Sequence, residues 1–359
     1  MHNKEKKIAI VSGPTGGHFF PALSIGDSLI EKGIKVKFFV PERGFIINWL
    51  NKRNYNFSII PEVKISKKNV FIVPFKFLYN VLKCFIFIQK ENFVAIVGTG
   101  SYTTFPFLVA GKILRKDIYL HEQNYIPGKV TKFFSILSRR TFLTFPYRNK
   151  LPEKKVVVTG FPLLKEFKIH ISKEEIIENF FLDKNKKVIV VFGGSQSASF
   201  LNKLITSNID YFVKKNDFHI IIIAGKEKVK VEEIFFKKKV SGIVFDFYYN
   251  MNELYSIADI VISRAGAGTI SELTYWKIPS ILIPYPFAGG HQFFNAMFLQ
   301  EKDACFLIPQ REEIVYNFPL YFEKFLGNYE KIKKALEKVK IYDDGKIVNI
   351  ITGALNEKK

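Results

Sequence analysis

At 359 residues, 48% of them hydrophobic and 38 of them Phe, the chain holds enough apolar material for two well-buried domains. Its formal net charge of +21 admits three kinds of partner: nucleic acid, an anionic membrane surface or an acidic substrate, with a Lys-rich proteome as the bland alternative. The two cysteines, Cys84 and Cys305, lie far apart without CxxC spacing, which argues against a disulfide framework or structural zinc and for a reducing compartment.

Short apolar runs expected as strands fall near 7–12, 35–40, 57–60, 94–97, 118–121, 141–145 and 155–159, with helical periodicity between most of them. A second series begins at 187–192 and continues near 218–224, 242–246, 260–263, 280–284 and 304–307. Continuous apolar strands alternating with helices imply parallel sheets covered on both faces. The expected fold class is therefore α/β, with two doubly wound, Rossmann-like domains facing each other across a cleft. Ligands of such sheets gather beyond the carboxyl ends of the strands. Gly and Pro punctuate a linker at Thr159–Leu164, giving an expected division of 1–160, 161–343 and a terminal helical segment, 344–359, that returns to the first domain. Most of the charge lies in the first part: residues 1–158 carry 26 Lys+Arg against 9 Asp+Glu, or +17. Only a few apolar residues precede Gly13, so no signal peptide is expected, and no uncharged apolar run reaches the roughly 18 residues of a membrane span.

The first strand runs into Gly13-Pro14-Thr15-Gly16-Gly17-His18, ahead of a helix expected from Phe20 to Lys32. Glycines there let backbone amides face an oxyanion beside a positive helix end, and His18 is a titratable group at the same turn. Gly98-Thr99-Gly100-Ser101-Tyr102 follows another strand; it lacks the third glycine of a dinucleotide fingerprint and reads equally as a plain tight turn. His121-Glu122-Gln123-Asn124 places four hydrogen-bonding side chains directly after a strand, more than folding requires. In the second half, Gly193-Gly194-Ser195-Gln196 repeats the strand-to-glycine turn. Residues 263–272 read SRAGAGTISE, with a helix expected to start at Thr269. Small residues there admit a phosphate, and Glu272 is placed to accept hydrogen bonds from two vicinal ribose hydroxyls; a capping box of Thr269 with Glu272 is the competing reading. Gly289-Gly290-His291-Gln292 opens a further helix with amides suited to sugar hydroxyls. No D-x-D pair and no Walker A loop occurs, so a diphosphate would be neutralised by helix ends, amides and hydroxyls, with no metal and no other cofactor expected.

Taken in order, GPTGGHFFP, GTGSYTTFP, HEQN, GGSQSA, SRAGAGTISE and HQFFNA resemble the MurG family of peptidoglycan glycosyltransferases over roughly residues 7–355. The resemblance implies the GT-B fold, an acceptor- and membrane-facing first domain and a UDP-GlcNAc-binding second one. It implies inverting transfer of GlcNAc from UDP-GlcNAc to lipid I, giving lipid II, in cell-wall growth, cell shape and division. Carried over by position, Thr15, Gly16 and Gly17 contact the donor, and His18 is the base. Asn124 reaches the donor sugar, Ser195 lies by the diphosphate, and Tyr248 meets the uracil through its backbone. Ala267, Gly268, Thr269, Ile270, Ser271 and Glu272 form the nucleotide loop, with Glu272 on the ribose, and Gln292 binds the sugar. Tyr102 and Glu122 belong to acceptor-side motifs.

The chain departs from the family pattern at Pro14, which removes one N–H donor, at Ser197, and in the linker, where Phe161 replaces Asn and Leu164 replaces a diphosphate-binding Arg. Lys165 can supply charge there without a bidentate fork. A helix dipole disfavours imidazolium at His18, so the ring is expected neutral near pH 7 and able to take the acceptor hydroxyl proton. The expected site of work is the cytoplasmic face of the inner membrane, as a peripheral protein on anionic lipid, with a cell-wall synthesis complex as a further partner. Lys64–Lys68, the apolar run from Val70 and the helix to about Gln89 form the expected docking face, against the alternative of a core helix with snorkelling lysines. The competing functions are a GT-B transferase with another lipid acceptor such as diacylglycerol, and a nucleic-acid-binding protein, for which no recognised motif is present.

Overall fold

The computed structural model describes residues 6–60, 73–146, 151–194 and 198–357. The chain divides into two compact units, Met1–Leu164 with Tyr342–Lys359, and Lys165–Ile341. The first division thus falls after Leu164 rather than at 160/161. Its cause is burial: Phe161, Leu163 and Leu164 are core residues, and Ser24 Oγ donates to Leu163 O at 3.0 Å. Gly160 (φ +90°) has no room for a side chain, since a Cβ there would stand 2.4 Å from the carbonyl carbon of Tyr342. Phe161 and Tyr342 form a parallel bridge, and Asp343 N donates to Phe161 O at 2.8 Å.

The first unit holds β1 (Lys7–Val11), β2 (Lys35–Val40), β3 (Phe57–Ile59), β4 (Ala95–Gly98), β5 (Asp117–Glu122), β6 (Arg140–Leu143) and β7 (Val156–Val158). Their order is β3-β2-β1-β4-β5-β6-β7, and every pairing is parallel. These are the seven apolar runs expected. Their Ile, Val and Phe side chains face helices on both sides, so Ile8, Ile10, Phe38, Ile96 and Val97 have no exposed surface. The helix Lys346–Asn356 buries Ile347, Val348, Ile351 and Leu355 and is tied to this unit by Lys6 Nζ donating to Leu355 O (3.0 Å). At the amino-terminal edge of the sheet, Glu91 pairs with Lys37 at 2.8 Å and with Lys7.

The second unit holds β8 (Lys187–Phe192), β9 (Phe218–Ile223), β10 (Gly242–Phe245), β11 (Ile260–Ser263), β12 (Ser280–Leu282) and β13 (Phe306–Leu307), in the order β10-β9-β8-β11-β12-β13, again all parallel. In each sheet the strand order reverses once, between β1 and β4 and between β8 and β11. The carboxyl ends of strands diverge from a crevice at such a point, which is where doubly wound sheets take their ligands.

The helix Val73–Lys90 has two apolar faces. One carries Val81, Cys84 and Ile88 into the first unit's core, beside Phe39, Phe93 and Phe107. The other leaves Phe75, Leu78, Tyr79, Leu82 and Ile86 exposed, Phe75 at 74%. Spacings of three and four put these five on one stripe. The expected docking residues Lys64–Lys68 and Val70–Ile72 lie outside the described residues. No helix among the described residues is long and apolar enough to cross a membrane.

Candidate active site

In the first unit the loops after β1, β4 and β5 meet at the switch point. The helix after β1 spans Gly16–Glu31, so it begins at Gly16, not near Phe20, and Gly16, Gly17 and His18 form its first turn. Thr15 is its N-cap residue but makes no side-chain capping bond, so its side chain does not occupy the amides of the first turn. Those amides and the helix dipole make the turn suited to an anion.

His18 is held from the β4 loop. Its Nδ1 lies 2.7 Å from Thr99 O, and Thr99 Oγ1 returns a bond to His18 O at 2.8 Å. A carbonyl oxygen only accepts, so Nδ1 carries the hydrogen and Nε2 carries the basic lone pair of the neutral ring. Thr99 O also accepts from Gln123 Nε2 at 2.6 Å. Both contacts of that nitrogen are carbonyls, the second being His121 O at 3.5 Å, which fixes the amide's orientation chemically. Thr103 Oγ1 donates to Ser12 O (3.2 Å) and closes the β4 loop on β1. The approach is close enough to require Gly13: a Cβ there would stand 2.6 Å from Ser101 Cβ and 2.9 Å from the His18 ring. Behind this cluster His121 is fully buried, its ring edge-on to Phe161. Burial, opposed by a hydrogen bond to Gly160, pushes its pKa down to about 3, and the ring is neutral.

The remaining first-unit candidates divide. Tyr102 is exposed at the start of a 3-10 turn, Tyr102–Thr104. Asn124 is half-buried after β5, its N–H on Glu122 Oε1 at 3.1 Å. Glu122 is buried, and its other oxygen accepts from Gly128 N (3.0 Å) and Thr131 Oγ1 (2.5 Å). Its carboxylate organises the loop 123–128 and the start of the helix Lys129–Ser135.

In the second unit the helix after β11 is Ala267–Trp276, capped by Gly266 rather than started at Thr269. Thr269 and Glu272 both lie inside it, which removes the capping-box reading. Ile270 and Ser271 are fully buried, and Ser271 Oγ is engaged by Ala267 O (2.8 Å) and Ile341 O (3.3 Å), so their side chains face the core. Ala267 is buried, while Gly268, Thr269 and Glu272 are partly buried. Burial, opposed by a hydrogen bond from Tyr255, raises the Glu272 pKa to about 6. That bond runs from Tyr255 OH to Glu272 Oε2 at 2.5 Å. Gln292, in the first turn of His291–Gln300, accepts through Oε1 from Ala265 N (3.1 Å) and Tyr285 N (2.9 Å), so its Nε2 is the group left for a ligand. Tyr248 packs on Phe245 and donates to Glu253, leaving its main chain as the part able to meet a base. Arg264 is buried, bonded to Ile283 O (3.0 Å) and Gln310 Oε1 (2.6 Å), and braces this loop from behind. Ser195 and Ser197 lie outside the described residues. Leu164 is a core residue with no polar function, while Lys165 is exposed.

Three residues that the motifs did not single out individually organise the others: Thr99, Gln123 and Tyr255. Gln123 was findable in principle, since it shares a face with His121 at the period of a strand. Tyr255 gives no local signal in its short helix, Met251–Ile257.

The sequence matches the glycosyltransferase family 28 N-terminal domain over residues 8–143 and the family 28 C-terminal domain over residues 188–340. An Aquifex aeolicus protein is 34% identical over 340 residues, covering 92% of this chain and 95% of its own length. A Rickettsia akari protein is 34% identical over 344 residues, with 86% of each chain covered. Both are named UDP-N-acetylglucosamine–N-acetylmuramyl-(pentapeptide) pyrophosphoryl-undecaprenol N-acetylglucosamine transferase. Among solved structures, Acinetobacter baumannii MurG superimposes with a TM-score of 0.74 at 23% identity, covering 93% of this chain and 96% of that one. Two parallel Rossmann-like sheets, a glycine turn at each switch point and this kinship over nearly the whole sequence have one meaning: the chain belongs to the MurG family of glycosyltransferases.

Proposed function

We propose that this protein moves GlcNAc from UDP-GlcNAc to lipid I, the undecaprenyl-diphospho-MurNAc-pentapeptide, with inversion at the anomeric carbon, to give lipid II. The observation that carries the chemistry is the His18–Thr99 bond, because it puts the ring's basic lone pair on Nε2. In the reaction Nε2 takes the proton of the acceptor sugar hydroxyl while that oxygen forms a bond to the anomeric carbon. The bond from that carbon to the β-phosphate oxygen breaks, and its electron pair leaves with UDP. Thr15, Gly16, Gly17 and Asn124 attend the donor, with Tyr102 on the acceptor side and Glu122 acting through the loop it holds. The amides opening Ala267–Trp276, with Ser195, stabilise the charge developing on the diphosphate. Glu272 accepts from the ribose, Gln292 Nε2 donates to the sugar, and the main chain at Tyr248 meets the uracil. Lys165 supplies the linker charge that buried Leu164 does not.

The test is transfer of labelled GlcNAc from UDP-GlcNAc to lipid I or a short-chain analogue in EDTA. Product is expected without added metal. Failure with UDP-GlcNAc still bound would redirect the search to another lipid acceptor such as diacylglycerol.

We also infer that the protein works on an anionic membrane surface. The support is the exposed stripe Phe75-Leu78-Tyr79-Leu82-Ile86, flanked by exposed Lys76 and Lys83 in a strongly basic unit. Each basic residue near such a surface contributes about 1 kcal/mol. Co-sedimentation with vesicles should rise with anionic lipid and fall with salt. Equal binding to neutral vesicles at high salt would contradict the electrostatic part.

A further inference from the structure

Tyr255 sits on the helix Met251–Ile257, just before β11, and is 2% exposed. Its ring lies against Phe192 at the end of β8 (centroids 6.2 Å apart) and against Trp276 (6.1 Å). Trp276 is in turn pinned by its Nε1–H, which donates to Phe167 O at 2.9 Å. A phenol packed this way has a fixed hydroxyl, and a buried hydroxyl needs a partner. The partner is Glu272, whose Oε2 accepts at 2.5 Å. Burial first, and then the neighbouring carboxylate, push the Tyr255 phenol well above its ordinary pKa, so it remains a donor under all working conditions.

A glutamate left to itself samples several rotamers and offers either oxygen to a ligand. Here Oε2 is committed, which fixes the orientation of the carboxylate, and so of Oε1, on a residue that is mostly but not wholly buried. We propose that Tyr255 is a positioning residue for donor selection: by holding Oε2 it aims Oε1 at the ribose hydroxyls and so makes the site prefer ribonucleotide over 2′-deoxyribonucleotide. This rests on Glu272 being the ribose acceptor. Tyr255 itself touches no ligand; it acts through the carboxylate.

The experiment compares UDP with dUDP by calorimetry at pH 8, on the wild type, Tyr255→Phe and Glu272→Gln. The wild type should prefer UDP by about tenfold or more, the scale of one hydrogen bond to a charged group. Tyr255→Phe keeps the packed ring and loses the donor; its preference should fall to about twofold while dUDP binding stays as in the wild type. Glu272→Gln should abolish the preference with Tyr255 intact. A Tyr255→Phe protein with the full preference, or one that loses UDP and dUDP binding equally, overturns the positioning role. A wild type that does not distinguish the two nucleotides overturns the ribose reading of Glu272 instead, so the two failures are separable. If Tyr255→Phe does not fold, 3-fluorotyrosine at position 255 strengthens the donor in the same space. The preference should then increase, and an unchanged preference overturns the proposal.

Discussion

The two Rossmann-like units place their candidate side chains at the same kind of point, the crevice where strand order reverses, but hold them differently. In the first unit His18 is fixed by the main chain: one carbonyl, Thr99 O, receives both His18 Nδ1 and Gln123 Nε2. In the second, main-chain donors fix Gln292 and a phenol fixes Glu272. Yet the division of labour within each side chain is shared. In each, one polar atom is bound by the fold: Nδ1 on His18, Oε1 on Gln292 and Oε2 on Glu272. The difference lies in the roles proposed for these side chains, a base in the first unit, and a donor and an acceptor for sugars in the second.

Replacing His18 by Ala tests that contrast most strongly. Turnover should fall by roughly 10²- to 10⁴-fold, the range for a positioned general base, while UDP-GlcNAc affinity stays within about twofold. Single-turnover rates and direct binding check this; near-full turnover would remove His18 from the role. Gln292→Met should do the reverse. It leaves the amides of Ala265 and Tyr285 without their acceptor and should weaken UDP-GlcNAc binding about tenfold, with a smaller effect on the bound turnover rate.

A pH series sharpens the second unit's side of the comparison. Glu272 titrates at about 6, and in its proposed ribose role the ionised form is the stronger acceptor, so affinity should be full above that pH and decline below it. UDP-GlcNAc is the suitable probe, because its diphosphate diester does not titrate there. Flat affinity from pH 8 to 5 would separate Glu272 from ribose binding. The smallest effect belongs to Glu91, at the opposite edge of the first sheet. Hydrogen bonds from Lys37 and then Lys7 lower its pKa to about 2. Its contribution is present above its ordinary value near 4.5 and disappears as pH falls through 2. Glu91→Gln should therefore cost about 1 kcal/mol of stability at pH 7, converge with the wild type near pH 2, and leave turnover unchanged.

The strands were legible because continuous Val, Ile and Phe runs between Gly, Pro and polar turns leave few alternatives. Helix starts were less so. Both helices that carry candidate site residues begin earlier than periodicity suggests, at Gly16 and Ala267, because glycine and alanine turns carry no side-chain capping signal. The motifs around His18, Glu272 and Gln292 were also readable as glycine turns bearing polar groups. Their orientation was not, since it depends on partners distant in sequence, 81 residues for Thr99 with His18 and 17 for Tyr255 with Glu272. Glu122 shows the opposite problem: a carboxylate at a strand's end looks alike whether it awaits a ligand or, as here, holds its own loop.

The bridge between Phe161 and Tyr342 has a consequence for how the molecule is made. The first unit is interrupted by the whole of the second, Lys165–Ile341, and closes only with Tyr342–Lys359. On the ribosome, at about 5–20 residues per second, the sheet that carries His18 must wait on the order of ten seconds or more for the strip that seals Gly160 and the helix that covers one of its faces. The second unit is itself complete at Ile341, before Tyr342–Lys359 is made. Synthesis therefore completes the second unit before the first, and a chain shortened at its end would damage the beginning of the protein first.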